Sequence, residues 1–333
     1  MTHSDIVPEE AGPRSHEAPA RLEIPLAAAL SSLLLLSFLI LPAAGPLTLP
    51  VASVPMVRLA FRRGAAPSLF AIAVMAAVLF GLGWATQSLA EAIRMALFGG
   101  VIVGLPCASA AAVRPGSNGS AAFLGLCVAG FAILVGGLLL ESRGRTDLTG
   151  LEIERVFDEF ASATPSAAGR ELDTDTQARL KATLAAARDF AKKYWIGLIG
   201  VAWVFGGAIS FYVGAWAARP APLGEQVRFE LLRIPALVAP LFVLSGAVLA
   251  LGPSAASNLA GDLLWPLLAL YFVGGLSIIC HFARKWFRSR LLRIGLYALM
   301  IIYVPINVGV ALLGLFDWYT GFRRRGEGVG KQP

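Results

Sequence analysis

Residues 258–293 constrain the fold more than any other stretch of the chain. A run of about twenty apolar residues with a Gly-Gly pair follows Asp262 and ends at His281. Such a run is long enough to cross the hydrocarbon core of a bilayer as a helix, and basic residues beside it mark the cytoplasmic end. The stretch therefore predicts a transmembrane helix with a cytoplasmic C-terminal end, since five basic residues follow it: Arg284, Lys285, Arg288, Arg290 and Arg293.

Apolar runs of the same kind recur along the whole chain. Hydrophobic residues make up 57% of the 333 residues and charged residues only 15%, a composition that excludes an ordinary soluble protein. The run at 47–61 contains two prolines and covers only about 22 Å as a helix, so we expect it to be short, kinked or re-entrant. We predict an all-α, polytopic transmembrane helical bundle of eight or nine spans, the number depending on whether 47–61 crosses. The runs are 26–41, 47–61, 66–86, 90–113, 120–140, 195–217, 234–251, 259–282 and 291–316.

The chain divides into five predicted segments. Residues 1–22 carry three prolines and no hydrophobic period, so we expect a disordered tail, and 23–140 hold the first membrane helices. Residues 141–193 are nearly neutral and amphipathic, which predicts a water-facing helical insert. The remaining membrane helices fall within 194–316, and 317–333 form a polar C-terminal tail.

The positions of the basic residues indicate the orientation. Most basic loops fall on one side when the runs alternate across the membrane, and we predict that this side is cytoplasmic and the insert external. The exception is 323–325, three arginines that this scheme places outside unless the last run turns back at Pro305. The net charge of +7 is concentrated in these loops, so the lipid bilayer and not nucleic acid is the expected partner. We predict a multi-pass protein of the bacterial inner membrane.

Charged residues inside the apolar runs are candidates for function, because burying them in a membrane is costly. Glu91 and Arg94 lie near the start of one run and Asp262 near the start of another, and the predicted orientation places all three toward the external face. Together with Gln87 and Trp265 they predict a cavity that binds a small-molecule ligand from outside. The alternative is that Glu91 and Arg94 form an interfacial ion pair while Asp262 caps a helix.

Signatures of catalysis and of metal or cofactor binding are missing from the sequence. It contains no HExxH, GxSxG, Walker-type or GxGxxG motif in a fitting context. The cysteines Cys107, Cys127 and Cys280 lie within apolar runs and have no CxxC spacing, and His281 has no second ligand at metal-binding spacing. We therefore expect no enzyme activity, no metal and no cofactor.

Several stretches resemble a known family. They are LAFRRG at 59–64, FGGVIVGLP at 98–106, the charged insert, ALYFVGGLSIICHFARKW at 269–286 and GLFDWYTGFRRR at 314–325. On these stretches the chain resembles the YybS-like family of predicted bacterial integral membrane proteins. The first six spans of that family are similar to the substrate-binding S components of energy-coupling factor transporters. Those proteins hold a vitamin or metal near the external side of a six-helix bundle and dock on a coupling subunit through small residues of the first helix.

The resemblance implies an S-component-like transport module that binds a small molecule or lipid from the external side. It also implies a partner-docking surface on the first helix, where Ala27 and Ser31, and likewise Ala28 and Ser32, have small-xxx-small spacing. The alternative function is a non-catalytic structural or assembly protein that contacts other membrane proteins through the external insert.

Overall fold

All regular structure in the described part of the chain is helical, as predicted. The structure is a computed structural model that describes residues 20–40, 45–86, 88–117, 119–141, 158, 174–219 and 226–320. Its helices are α1 Ala20–Ile40, α2 Gly45–Ala52, α3 Val54–Arg63, α4 Ala65–Thr86, α5 Leu89–Ala111, α6 Ser120–Glu141, α7 Thr174–Lys193, α8 Trp195–Ala217, α9 Val238–Leu251, α10 Ser254–Trp286, α11 Arg290–Ile302 and α12 Val304–Thr320, with a 3₁₀ turn at Phe229–Leu231.

Four helices within these described ranges are long and apolar enough to cross a membrane. They are α4, α5, α8 and the part of α10 from Ala256 to Trp286. These helices are consistent, by length and composition, with a multi-pass membrane structure, and the total of eight or nine spans stays a prediction. Shorter apolar helices occur at Leu22–Ser37, Ser120–Gly136, Val238–Leu251 and Pro305–Asp317.

Two of the predicted runs are each divided into two helices. Residues 47–61 form most of α2 and α3, which separate at Ser53 and rise only about 12 and 15 Å, too little for either to cross a core of about 30 Å. Residues 291–316 form α11 and α12, which separate at Tyr303. Pro305 lacks the N–H that a continuous helix would bond back one turn, so the chain starts a new helix here. The prediction of one continuous helix over 291–316 is therefore wrong.

The predicted tails and the insert are described only in part. Helix α1 begins at Ala20, three residues inside the predicted tail, and α12 ends at Thr320. Most of the insert lies outside the described residues, and its described part is chiefly α7, which Tyr194 alone separates from α8. The external position of the insert stays a prediction.

The central helix of the bundle is α8, which packs against α2, α3, α5, α6 and α10. Aromatic side chains fill the space around its C-terminal half. The ring centroid of Phe211 lies 5.6 Å from that of Phe61 and 6.2 Å from that of Phe123, and Tyr212 and Phe229 are 5.1 Å apart. These contacts bring the end of α3, the start of α6 and the 3₁₀ turn to the same end of the bundle.

Ion pairs reinforce this end. Both carboxylate oxygens of Glu23 accept from arginines, Oε1 from Arg62 at 2.7 Å and Oε2 from Arg63 at 2.9 Å. Glu230, which is nearly buried, pairs with Arg284 near the end of α10. Three arginines that the sequence places on one side of the membrane, Arg62, Arg63 and Arg284, therefore lie at one end of the bundle. The assignment of that end to the cytoplasm stays a prediction.

Helices α10 and α12 cross with their backbones in contact. A Cβ atom at Gly275 would lie 1.8 Å from the carbonyl oxygen of Val310, and one at Gly314 would lie 2.0 Å from that of Tyr271. Only glycine fits at such a distance, and close approach of this kind replaces the hydrophobic effect in driving helix association within lipid. The earlier residue of α10, Tyr271, meets the later residue of α12, Gly314, and the later residue Gly275 meets the earlier Val310, so the two helices run antiparallel.

The substitution Gly314→Ala should destabilise the protein, because the obstacle is the backbone of α10 and cannot rotate away. We expect a loss of about 1–3 kcal/mol in the free energy of unfolding, the usual cost of overpacking. The measurement is the melting temperature of the protein purified in detergent. The matched control is Gly309→Ala on the same helix, where a Cβ meets no atom within 4 Å and alanine favours the helix. Equal melting temperatures for the two variants would contradict the close crossing.

Candidate functional site

A groove of about 910 Å³ opens between α2, α5, α6 and α8. Its walls are mainly apolar and include Phe98, Ile133 and Trp203, whereas Arg94 and Ser210 are the polar side chains that line it. The volume lies within the range of about 300–1,000 Å³ that is usual for small-molecule sites. The arrangement suits a ligand that is largely apolar and carries one polar group.

The walls of the groove are fixed by specific contacts. The indole Nε1–H of Trp203 donates to the carbonyl oxygen of Leu126 at 3.0 Å, and the ring lies where a Cβ at Gly130 would be only 2.0 Å away. On α8, which also carries Trp203, Gly206 lines the groove, and a Cβ there would meet only Pro50, at 3.9 Å. The groove is therefore open at this point because position 206 has no side chain.

Hydrogen bonds tie the break between α2 and α3 to α8 beside the groove. The Ser210 hydroxyl donates to the carbonyl oxygen of Pro50 at 2.6 Å, and the Ser53 hydroxyl donates to Ser210 Oγ at 2.6 Å. Both serines are buried. Their hydroxyls hold the groove wall in place because a buried polar group that loses its partner is costly.

Arg94 reaches the groove from the first two turns of α5. The side chain of Ser88 caps this helix by accepting from the Glu91 N–H at 3.2 Å, and Arg94 Nη1 donates to Glu91 Oε1 at 2.9 Å. The side chain of Arg94 is 60% exposed and that of Glu91 34%. Solvent screening makes such an exposed pair weak, so it positions the guanidinium more than it stabilises the fold.

Asp262 has a different role, at the junction of α7, α8 and α10. Its Oδ1 accepts from the N–H of Gly197 at 2.9 Å, in the first turn of α8, where backbone N–H groups lack helical partners. A carboxylate is also favoured there by the helix dipole. Trp265 packs on Phe190 of α7, with ring centroids 5.2 Å apart. Asp262 therefore caps a neighbouring helix, and Trp265 completes the junction.

Pro266 leaves a backbone carbonyl without a helical partner at this junction. Proline has no N–H, so the carbonyl oxygen of Asp262 lacks the donor that a helix would supply one turn later. A Cβ at Gly197 would lie 2.9 Å from that oxygen, so the backbones of α8 and α10 touch. The absence of a side chain at position 197 lets α8 approach both the carbonyl and the carboxylate of Asp262.

The structure thus separates the residues that the sequence joined in one cavity. Arg94 lines the groove and Glu91 pairs with it, whereas Asp262 and Trp265 are not among the groove residues. Gln87 lies outside the described residues. The structure shows a Glu91–Arg94 ion pair and a helix cap at Asp262, and ligand binding by these residues stays a prediction. Sequence reasoning did not find the groove walls, and the only sequence signal for them was the Gly206-Gly207 pair of α8.

The four small residues of α1 face the interior of the bundle. Ala27, Ala28, Ser31 and Ser32 are at most 6% exposed. Neither serine hydroxyl has a hydrogen-bond partner among the described residues. The described chain itself covers this surface, so docking of a partner on it stays a prediction that requires α1 to become accessible.

Comparisons with known proteins identify a family. The model of a family described as "Predicted membrane protein (DUF2232)" matches residues 29–318, which is most of the chain. No curated protein and no solved structure matches.

The capping role of Asp262 predicts a stability effect. Replacing Asp262 with alanine leaves the Gly197 N–H without its acceptor, and we expect the free energy of unfolding to fall by about 1–2 kcal/mol. Asp262→Asn keeps a side-chain oxygen and should lose less. Thermal denaturation in detergent measures both, with the partly exposed Glu91→Gln as the control that should change little, since its ion pair is screened by solvent. A wild-type melting temperature for Asp262→Ala would contradict the cap.

Proposed function

The chain belongs to the DUF2232 family of predicted membrane proteins, and we propose that it binds an elongated apolar molecule with an anionic group in the groove beside Arg94. The groove carries this proposal, since it combines a long apolar wall with one cation. The role is binding and not catalysis. The proposed location of the protein is the inner membrane of a bacterium, and the ligand is proposed to enter the groove at the level of the external leaflet.

The apolar character of the groove determines the main part of the ligand. Its walls come from four helices and bring Phe98, Ile133 and Trp203 around one space, where an alkyl chain or a fused ring system would contact apolar atoms along its length. A strongly polar solute would lose its hydration without gaining hydrogen bonds on these walls. Lipids and lipid-like metabolites are therefore the favoured ligand class.

Arg94 determines the polar end of the ligand. A guanidinium has five N–H donors in a planar fork that fits carboxylate and phosphate oxygens, and the pair with Glu91 at 2.9 Å orients it at the groove. Charge-assisted bonds of this kind are about twice as strong as neutral ones. The ligand is thus proposed to be an amphiphile with an anionic head at Arg94 and an apolar body along α8.

A transport role would follow from the resemblance to S components, which also bind ligands near the external side. In that case the groove is the substrate site of a transport module. The alternative is an assembly protein that uses the external insert, and the support for it is that most described side chains of α7 are exposed. Deleting 151–181 should then remove a defined cross-linked partner, whereas filling the groove should leave that partner bound.

Groove binding is tested with one filling variant and one charge variant. Gly206→Leu projects a side chain into the groove, and Arg94→Gln removes the cation. The protein is held in amphipol, and its melting temperature is measured with palmitate and with uncharged hexadecanol. We expect palmitate to stabilise the wild type more than hexadecanol does. Gly206→Leu should respond to neither probe, and Arg94→Gln should respond to both equally.

The matched control for groove filling is Gly125→Leu on α6. A Cβ at Gly125 meets no atom within 4 Å, the residue is exposed, and it does not line the groove. This variant should respond to palmitate as the wild type does. The proposal fails if Gly206→Leu retains the full palmitate response, or if Gly125→Leu loses it to the same extent.

A further inference from the structure

Helix α11 is amphipathic and too short to cross a bilayer. Its 13 residues rise about 20 Å, against a hydrocarbon core of about 30 Å. It begins after a three-residue link from α10 and ends at Ile302, and the extended backbone of Tyr303 separates it from α12. An apolar helix of this length at the end of a bundle fits the interface between lipid tails and headgroups.

The outward face of α11 is strongly apolar. Leu291 is 79% exposed, and Leu292, Ile294 and Leu299 are each more than half exposed. The half-buried side holds Arg293 and Tyr297, which are one turn apart. Four large apolar side chains on one short helix would be unfavourable in water, so a lipid environment around this face accounts for their exposure.

Positive charge is concentrated at the same place. Five basic residues occupy 284–293, and the sequence contains no acidic residue between Asp262 and Asp317. Among the described acids, Glu230 pairs with Arg284 from the 3₁₀ turn. The exposed side chains of Lys285, Arg288 and Arg290 extend this positive region along the link and the first turn of α11.

We propose that α11 lies in the plane of the membrane interface and, with the basic residues of 284–293, binds the headgroups of anionic phospholipids. The exposed leucines and Ile294 enter the acyl region, and Lys285, Arg288 and Arg290 contact lipid phosphates. Basic residues close to an anionic leaflet are attracted to it, and an apolar helix face beside them adds buried area. This surface is distinct from the groove, which is lined by α2, α5, α6 and α8.

The test compares bound lipids in nanodiscs. The whole protein is placed in nanodiscs of phosphatidylcholine and phosphatidylglycerol in equal amounts, and native mass spectrometry measures the ratio of the two lipids that remain bound. We expect the wild type to retain mainly phosphatidylglycerol. Arg288→Gln with Arg290→Gln should lower the ratio of bound phosphatidylglycerol to phosphatidylcholine by about tenfold.

The matched control removes two exposed charges elsewhere. Arg179→Gln with Lys181→Gln on α7 has the same charge change and should keep the wild-type ratio. A salt series on the wild type gives a second, variant-free measurement, since 0.5 M NaCl should weaken a headgroup interaction through screening. The proposal is overturned if the wild type shows no preference for phosphatidylglycerol, if salt leaves the preference unchanged, or if both double variants lose it equally.

Discussion

A peptide group in the core of a bilayer has no water to bond with, so each interruption of a helix needs another hydrogen-bond partner. Several buried polar side chains in this bundle lie at such interruptions. Ser210 bonds to Pro50 beside the break between α2 and α3, and Ser277 donates to the Leu232 carbonyl in the segment before α9. Asp262 supplies the acceptor at the start of α8. Much of the buried polarity therefore has a structural explanation before any functional one is needed.

The presence of the helices was predictable because a long apolar run in lipid must satisfy its own backbone hydrogen bonds, and a helix does so. The run at 195–217 coincides with α8. The extra length of α10 was not predictable, since its first turn, from Ser254, is not part of the apolar run. Pro305 suggested a change of direction, but only the backbone at Tyr303 shows that α11 and α12 are separate helices.

The sequence predicted which charged residues of the candidate site would pair, but not how the helices that line the groove come together. Spacing alone indicated that Glu91 and Arg94 would meet, and they do. The hydrogen-bond donor to Asp262 could not be predicted, because Gly197 is 65 residues away in sequence and its N–H is available only because it lies at a helix start. The groove depends on which faces of four helices that are distant in sequence meet. Glycines such as Gly206 keep it open because they have no side chain. Periodicity cannot reveal such a space.

The pair of Asp262 and Pro266 also has a mechanical consequence. With one backbone hydrogen bond missing, α10 is easiest to bend between these residues. Beyond them α10 is held by its glycine crossing with α12. Before them it is held through side chains: Asp262 accepts from Gly197 of α8, Ser257 donates to the Leu249 carbonyl oxygen of α9, and Tyr194 packs on Gly261. The two parts of α10 are therefore secured differently, and a bend between Asp262 and Pro266 would displace the side-chain contacts of the first turns while leaving the backbone crossing with α12 in place.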